Sequence, residues 1–200
     1  IIGSLFDDIL TGDNLVNTIN GLAGTDLLTG NAGSDFYVFT DGWGIDTVVE
    51  TLAGGLADTM TFIAITAPLI FTLNTADIVV TENTNKVTHT GNFVENLIGS
   101  PQADTFTVQT SASANLYGGA ESDIFAFQGS AVLTGLIDGQ TGADSLDFSA
   151  YGSSRSVNLT SAGADGFNGT TAAVTAGFSK IGSIIGSSLN ADSLTGMNAT

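Results

Sequence analysis

Four stretches at the start of the chain decide its fold: GSLFDDILT (3–11), GDNLVNTIN (12–20), GLAGTDLLT (21–29) and GNAGSDFYV (30–38) follow one another without a gap. Glycine opens each nonapeptide. Asp or Asn holds the sixth place (Asp8, Asn17, Asp26, Asp35) and an apolar residue the eighth (Leu10, Ile19, Leu28, Tyr37). Self-similarity at a fixed period is the mark of a repeat architecture and takes precedence over local propensity. Glycine frees the backbone for a tight turn, and an extended strand points every second side chain the same way. Each unit therefore reads as a six-residue turn and a three-residue strand whose middle side chain faces inward. Two units make one circuit of 18 residues, which predicts an all-β chain wound as a parallel β-roll or β-helix, a solenoid in a single elongated stack.

Composition agrees with strand and turn. The 200 residues include 26 Gly, 2 Pro, no Cys and one His (His89). Twenty acidic side chains face only Lys86, Arg155 and Lys180, for a formal net charge of −17. A chain this acidic cannot neutralise phosphates, so nucleic acid is excluded as a partner, and anionic membrane surfaces are poor ones. Without cysteine there is no disulfide framework or thiolate site, and a single histidine speaks against zinc catalysis and histidine-based triads. No apolar run approaches the roughly 18–20 residues of a membrane span, so membrane insertion is not expected. Sixteen of the acids are Asp and four Glu, and Asp favours turns and caps where Glu favours helix. Hydrophobic residues make up 42% of the chain, enough for a sizeable core.

The nonapeptides resemble the GGxGxDxUx unit of the RTX (repeats-in-toxin, haemolysin-type) calcium-binding proteins, a β-helix repeat that binds Ca²⁺. The resemblance implies a right-handed parallel β-roll in which sixth-place carboxylates of turns stacked on one side hold Ca²⁺ with backbone carbonyls of the glycine turns. With 18 residues between same-side turns, it pairs Asp8 with Asp26 and Asn17 with Asp35. The chemistry suits the ion, because a hard cation takes six to eight oxygen ligands. The second and fourth places, often glycine in the family, are here Ser4 and Phe6, Asp13 and Leu15, Leu22 and Gly24, Asn31 and Gly33.

Beyond residue 38 the period loosens but the signature recurs, in DGWGIDTVV (41–49), AGGLADTMT (53–61), GSPQADTFT (99–107), GGAESDIFA (118–126), GQTGADSLD (139–147) and SSLNADSLT (187–195). These place Asp46, Asp58, Asp104, Asp123, Asp144 and Asp192 in the acidic position. Asp104 and Asp123, 19 residues apart, are a further candidate calcium pair. Asp46, Asp58, Asp144 and Asp192 have no same-side partner 18 residues away and read first as turn caps, with ligation as their second reading. In five units the alternation runs one step further: Tyr37/Phe39, Met60/Phe62, Phe106/Val108, Phe125/Phe127 and Leu146/Phe148. Longer strands around a more aromatic core are expected there.

A longer repeat lies over the short one. DTMTF at Asp58 and DSLDF at Asp144 are each followed eleven residues later by Leu73 or Leu159, a variable stretch, and then NLIGSPQADTF or SIIGSSLNADSL. The offset is 86 residues at the first landmark and 88 at the last. The chain thus divides into a nonapeptide block (1–50) and two long modules (51–110 and 111–200), the second continuous with the first, and reads as part of a longer repetitive protein, which the RTX resemblance implies is a large bacterial surface or extracellular one.

Among the remaining residues, His89 lies in an alternating segment and reads as a strand residue. Trp43 reads as a packing anchor, with sugar stacking the alternative. No acid/base pair or nucleophile motif is present, so no enzyme activity is expected of the chain. The expected function is a calcium-binding structural module of a secreted or cell-surface protein, such as a rod, spacer, filament or surface-layer or adhesin unit, folded by Ca²⁺ outside the cell and able to self-associate into a filament or lattice. The alternatives are the calcium-binding C-terminal appendix of a secreted RTX enzyme, and a carbohydrate-binding or other adhesive surface using the pairs Thr59/Thr61, Thr88/Thr90 and Thr105/Thr107. Four bound Ca²⁺ would bring the formal charge from −17 to about −9.

Overall fold

In the computed structural model, residues 1–50, 57–91, 93–188 and 191–196 are described. The turns ahead of Asp58 and Asp192 and the end of the chain fall partly outside them. Among the described residues all regular structure is strand. In order these are β1 (Ile9–Thr11), β2 (Thr18–Ile19), β3 (Leu27–Thr29), β4 (Phe36–Thr40), β5 (Ile45–Val49), β6 (Thr59–Ala64), β7 (Ile70–Leu73), β8 (Asp77–Glu82), β9 (Asn85–Thr90), β10 (Asn96–Ile98) and β11 (Thr105–Val108). There follow β12 (Ala112–Ser113), β13 (Asn115–Gly119), β14 (Ile124–Phe127), β15 (Leu133–Thr134), β16 (Ile137–Gln140), β17 (Ser145–Asp147), β18 (Ser156–Gly163), β19 (Gly166–Thr171), β20 (Val174–Ile181), β21 (Ser183–Ile185) and β22 (Ser193–Thr195).

The strands form two large, mostly parallel sheets. One runs β1-β3-β5-β9-β8-β7-β11-β14-β17-β21, the other β2-β4-β6-β10-β13-β16-β20-β19-β18-β22 with β12 and β15 beside its main path. The chain crosses from one sheet to the other and back, and one strand from each sheet is called a rung below. In the nonapeptide block the register is that of the repeat, with Ile9 opposite Leu27 and Thr18 opposite Phe36. The middle side chains of these short strands do face inward, and Ile19, Leu28 and Tyr37 are fully buried.

The aromatic core is the consequence of the extra step of alternation. Phe39 stacks on Phe62 (ring centroids 4.8 Å apart), Phe71 on Phe106 (4.1 Å) and Phe106 on Phe125 (4.9 Å). In-register parallel strands, spaced about 4.8 Å apart, set this stacking distance. Trp43 packs edge-on against Phe39 and Phe62, 1% exposed, so it anchors the core and is closed to a sugar.

The long repeat has a strand-by-strand counterpart that the sequence did not define. Its variable stretches are antiparallel meanders, β7-β8-β9 and β18-β19-β20. The order β5-β9-β8-β7-β11 in one sheet matches β16-β20-β19-β18-β22 in the other. One module therefore repeats the other with the sheets exchanged. Each meander puts three strands where a rung has one, and placing them in opposite sheets gives both main paths the same number of strands.

Candidate metal centre

The sixth-place acids face inward, as alternation requires of a residue two places before a buried apolar one. Asp26, Asp35, Asp46, Asp58, Asp104, Asp123 and Asp144 are all buried. Asp8 is half-buried and Asp192 exposed. They stand in three columns, where each backbone N–H donates to a carboxylate oxygen one rung on. In the first, Asp8 donates to Asp26 Oδ1 (2.9 Å) and Asp26 to Asp46 Oδ1 (3.0 Å). In the second, Asn17 donates to Asp35 Oδ1 (2.7 Å), Asp35 to Asp58 Oδ1 (2.7 Å) and Asp58 to Glu95 Oε2 (2.8 Å). In the third, Leu69 donates to Asp104 Oδ1 (2.7 Å), Asp104 to Asp123 Oδ1 (2.8 Å) and Asp123 to Asp144 Oδ1 (2.9 Å).

The spatial pairs Asp8/Asp26, Asn17/Asp35 and Asp104/Asp123 are thus as expected. The lack of partners for Asp46, Asp58 and Asp144 is corrected. They stack on Asp26, Asp35 and Asp123 at separations of 20, 23 and 21 residues, because turns of unequal length stretch the 18-residue circuit. Asp192 stacks on Arg155, whose backbone N–H reaches its Oδ1 at 2.6 Å.

The second carboxylate oxygen separates two kinds of turn. At Ser4, Asp13 and Ser100 the second-place N–H donates to the sixth-place side chain: to Asp8 Oδ2 (2.6 Å), Asn17 Oδ1 (2.7 Å) and Asp104 Oδ2 (2.6 Å). Their own side-chain oxygens accept the fourth-place N–H of Phe6, Leu15 and Gln102. These turns are closed. In the others the second place (Leu22, Asn31, Gly119, Gln140) and the fourth (Gly24, Gly33, Glu121, Gly142) both have positive φ. That rotation turns the second-place N–H away, Leu22 donating to Asn20 Oδ1 and Gln140 to Asp138 Oδ1. Oδ2 of Asp26, Asp35, Asp123 and Asp144 is left buried with no donor, as is Oδ2 of Asp46 and Asp58. Holding Leu22, Glu121 and Gln140 at positive φ is strained for residues with a Cβ, and such strain concentrates at functional sites.

These open oxygens meet further oxygens. A Cβ on Gly118 would lie 2.2 Å from Asp123 Oδ2 and 2.8 Å from the carbonyl oxygen of Gly139 one rung on. A Cβ on Gly139 would lie 2.3 Å from Asp144 Oδ2 and 2.4 Å from the Lys180 carbonyl oxygen. First-place glycine is therefore required for the carboxylate to sit where it does. Carboxylate and carbonyl oxygens without nitrogen or sulfur suit a hard cation, so the residues fit Ca²⁺.

Burial makes the charged form of these carboxyls costly. Burial pushes Asp123 up to about 8 and Asp46 to about 7, against the N–H bonds from Asp104 and Asp26 that favour their charged forms. Burial raises Asp26, Asp58, Asp104 and Asp144 as well. No basic side chain offsets this charge: Lys180 pairs with Asp138 at 3.1 Å, Arg155 lies over the Tyr151 ring at 4.1 Å, and Lys86 is exposed.

Two acids escaped the sequence reading although a signal was present. Glu95 stands two places before buried Leu97, as Asp does elsewhere, with Glu replacing Asp. Glu50 extends the inward alternation Asp46, Val48, Glu50 by one residue beyond β5. His89 is the strand residue expected, with Nδ1 3.1 Å from the Val48 carbonyl oxygen and Nε2 accepting from Phe93 N–H at 3.2 Å. Thr59 and Thr61 are buried, which removes that pair from any ligand-facing surface. The chain matches no protein-family model and no curated protein matches it, so the RTX resemblance rests on the nonapeptides themselves.

Proposed function

We propose that this protein is a calcium-binding structural module of a secreted or cell-surface protein, a right-handed β-solenoid serving as a rod, spacer or assembly unit. One observation carries the reading: six buried Asp oxygens, in columns, have no hydrogen-bond donor. A buried charge is costly unless it is paired or coordinates a metal. Calcium between rungs would supply that partner, with the glycine-turn carbonyls completing its shell. Extracellular modules bind Ca²⁺ at about 10⁻⁴–10⁻³ M, which favours folding outside the cell, where the ion is abundant. Binding to the folded state alone stabilises it by mass action. The test is a calorimetric titration with thermal melts followed by circular dichroism. Millimolar Ca²⁺ is expected to release or absorb heat and raise the melting temperature, reversibly on chelation; an identical melt with and without Ca²⁺ removes the proposal.

A further inference from the structure

We infer that Asp35, Glu50 and Asp58 together form a single binding site for a hard divalent cation of the calcium class, with Glu50, a residue outside the nonapeptide pattern, as its decisive ligand. Each offers an oxygen within 4.8 Å of the other two, and all three residues are buried. Oxygens bound to one Ca²⁺ at about 2.4 Å lie at most about 4.8 Å from each other, so the group has the span of one ion's shell. The observation that points to a ligand is that Asp35 Oδ2 and Asp58 Oδ2, on side chains 0% and 1% exposed, have no donor.

The fold brings the three together by replacing a glycine. The register Thr29↔Val49 between β3 and β5 places Glu50 beside Gly30, the first-place glycine of its unit. A Cβ on Gly30 would lie 2.2 Å from Glu50 Oε1, 2.3 Å from Asp35 Oδ2 and 2.7 Å from the Tyr37 hydroxyl. The missing side chain at Gly30 is what lets these oxygens converge. Asp58 joins from the next rung, through the bond from Asp35 N–H to its Oδ1.

Tyr37 orients the glutamate. Its buried hydroxyl donates to Glu50 Oε1. Burial and the neighbouring Glu50 hold the phenol well above its ordinary range, so it stays a neutral donor. Three carboxylate oxygens without nitrogen or sulfur suit a hard divalent cation.

The inference shares with the proposed function the identity of the ion, and the experiment separates the two. Calcium binding to the full chain is measured by titration calorimetry at neutral pH, for the wild type, Glu50→Gln, Asp58→Asn and the double variant Asp123→Asn/Asp144→Asn. Far-UV circular dichroism checks that each is folded. Glu50→Gln is expected to lose one ion, or to bind it roughly ten-fold or more weakly, and Asp58→Asn to do the same. The double variant is expected to keep that ion. If Glu50→Gln and Asp58→Asn bind as many ions as the wild type with the same affinity, the inference is overturned, and a higher melting temperature of Glu50→Gln without calcium assigns the site a shared proton instead. If the wild type binds one ion that Glu50→Gln loses and the double variant retains, this site stands and the column reading falls. No binding by the wild type overturns both.

Discussion

The first two nonapeptides and the next two share a period, a glycine and a sixth-place polar group, yet treat that group in opposite ways. In 3–20, Ser4 and Asp13 fold their backbone N–H groups onto Asp8 and Asn17, and the turn satisfies itself. In 21–38, Leu22 and Asn31 take positive φ and leave Asp26 and Asp35 each with an oxygen lacking a donor. The later rungs repeat the contrast, Asp104 being closed by Ser100 while Asp123 and Asp144 are open. A Ser or Asp in second place closes the turn with its own side chain, and a fourth place at positive φ, glycine in three of the four turns and Glu121 in the other, accompanies the open form. The lesson is that the sixth-place carboxylate marks the fold, whereas the second and fourth places decide whether it is free to act on a ligand.

The largest effect expected is at a closed turn. Asp104 accepts from Leu69 N–H, Ser100 N–H and Ser100 Oγ in a buried position. Asp104→Ala strands the Leu69 and Ser100 N–H groups, each unsatisfied buried group costing about 1–3 kcal/mol, while the Ser100 hydroxyl keeps the Ala67 carbonyl oxygen. Urea denaturation should show a loss of about 3 kcal/mol or more, the same with and without Ca²⁺. A loss that calcium rescues would blur the distinction between the two turns.

At an open turn the sign changes with the ion. Asp123→Asn/Asp144→Asn removes the cost of ionising two buried carboxyls, so the calcium-free variant should be as stable as the wild type or more so. What it should lose is the calcium-dependent gain, about 2.7 kcal/mol for one site when Ca²⁺ exceeds its dissociation constant a hundred-fold. Denaturation midpoints across a calcium series would measure both terms.

pH sharpens the comparison next. Asp46 and Asp123 have folded values raised above the ordinary carboxylate value of 3.8, to about 7 and about 8. The folded state then holds protons that the unfolded chain has released. The stability they contribute is full below about pH 4 and is lost as pH rises through 7 and 8. Calcium should flatten or reverse this trend, because its ligands must be deprotonated. His89 acts in the opposite direction: burial lowers it from 6.5, so its contribution is present above that value and is lost as pH falls below it. Melting temperatures from pH 4 to 9 with and without chelator are the check.

The smallest effect is a conversion. Ser4→Gly with Phe6→Gly gives the first turn the glycines that the open form tolerates. It should cost under about 1 kcal/mol at this exposed turn while adding a weak calcium site at Asp8, visible as an increment in stoichiometry. An unchanged stoichiometry would mean that second and fourth places do not control access to the carboxylate.

Much of this was legible in the sequence, and the limits are physical. The nine-residue period specified the inward apolar positions and the stacking of Asp8 on Asp26, because parallel in-register strands repeat the chain's own spacing. Partners of Asp46, Asp58 and Asp144 were hidden by turns of unequal length, which change the separation in sequence but not in space. The meanders read only as variable stretches, since alternation along β8 or β19 says nothing about strand direction. Glu50 was obscured because it occupies a glycine's place, where no acid was sought.

The most direct test of the central claim is the anomalous difference density of crystals grown with Ca²⁺. The account predicts peaks beside the open carboxylates of Asp26, Asp35, Asp123 and Asp144 and none at the closed turns of Ser4, Asp13 and Ser100. Density confined to the closed turns, or its absence from every column in crystals soaked at saturating calcium, would contradict it.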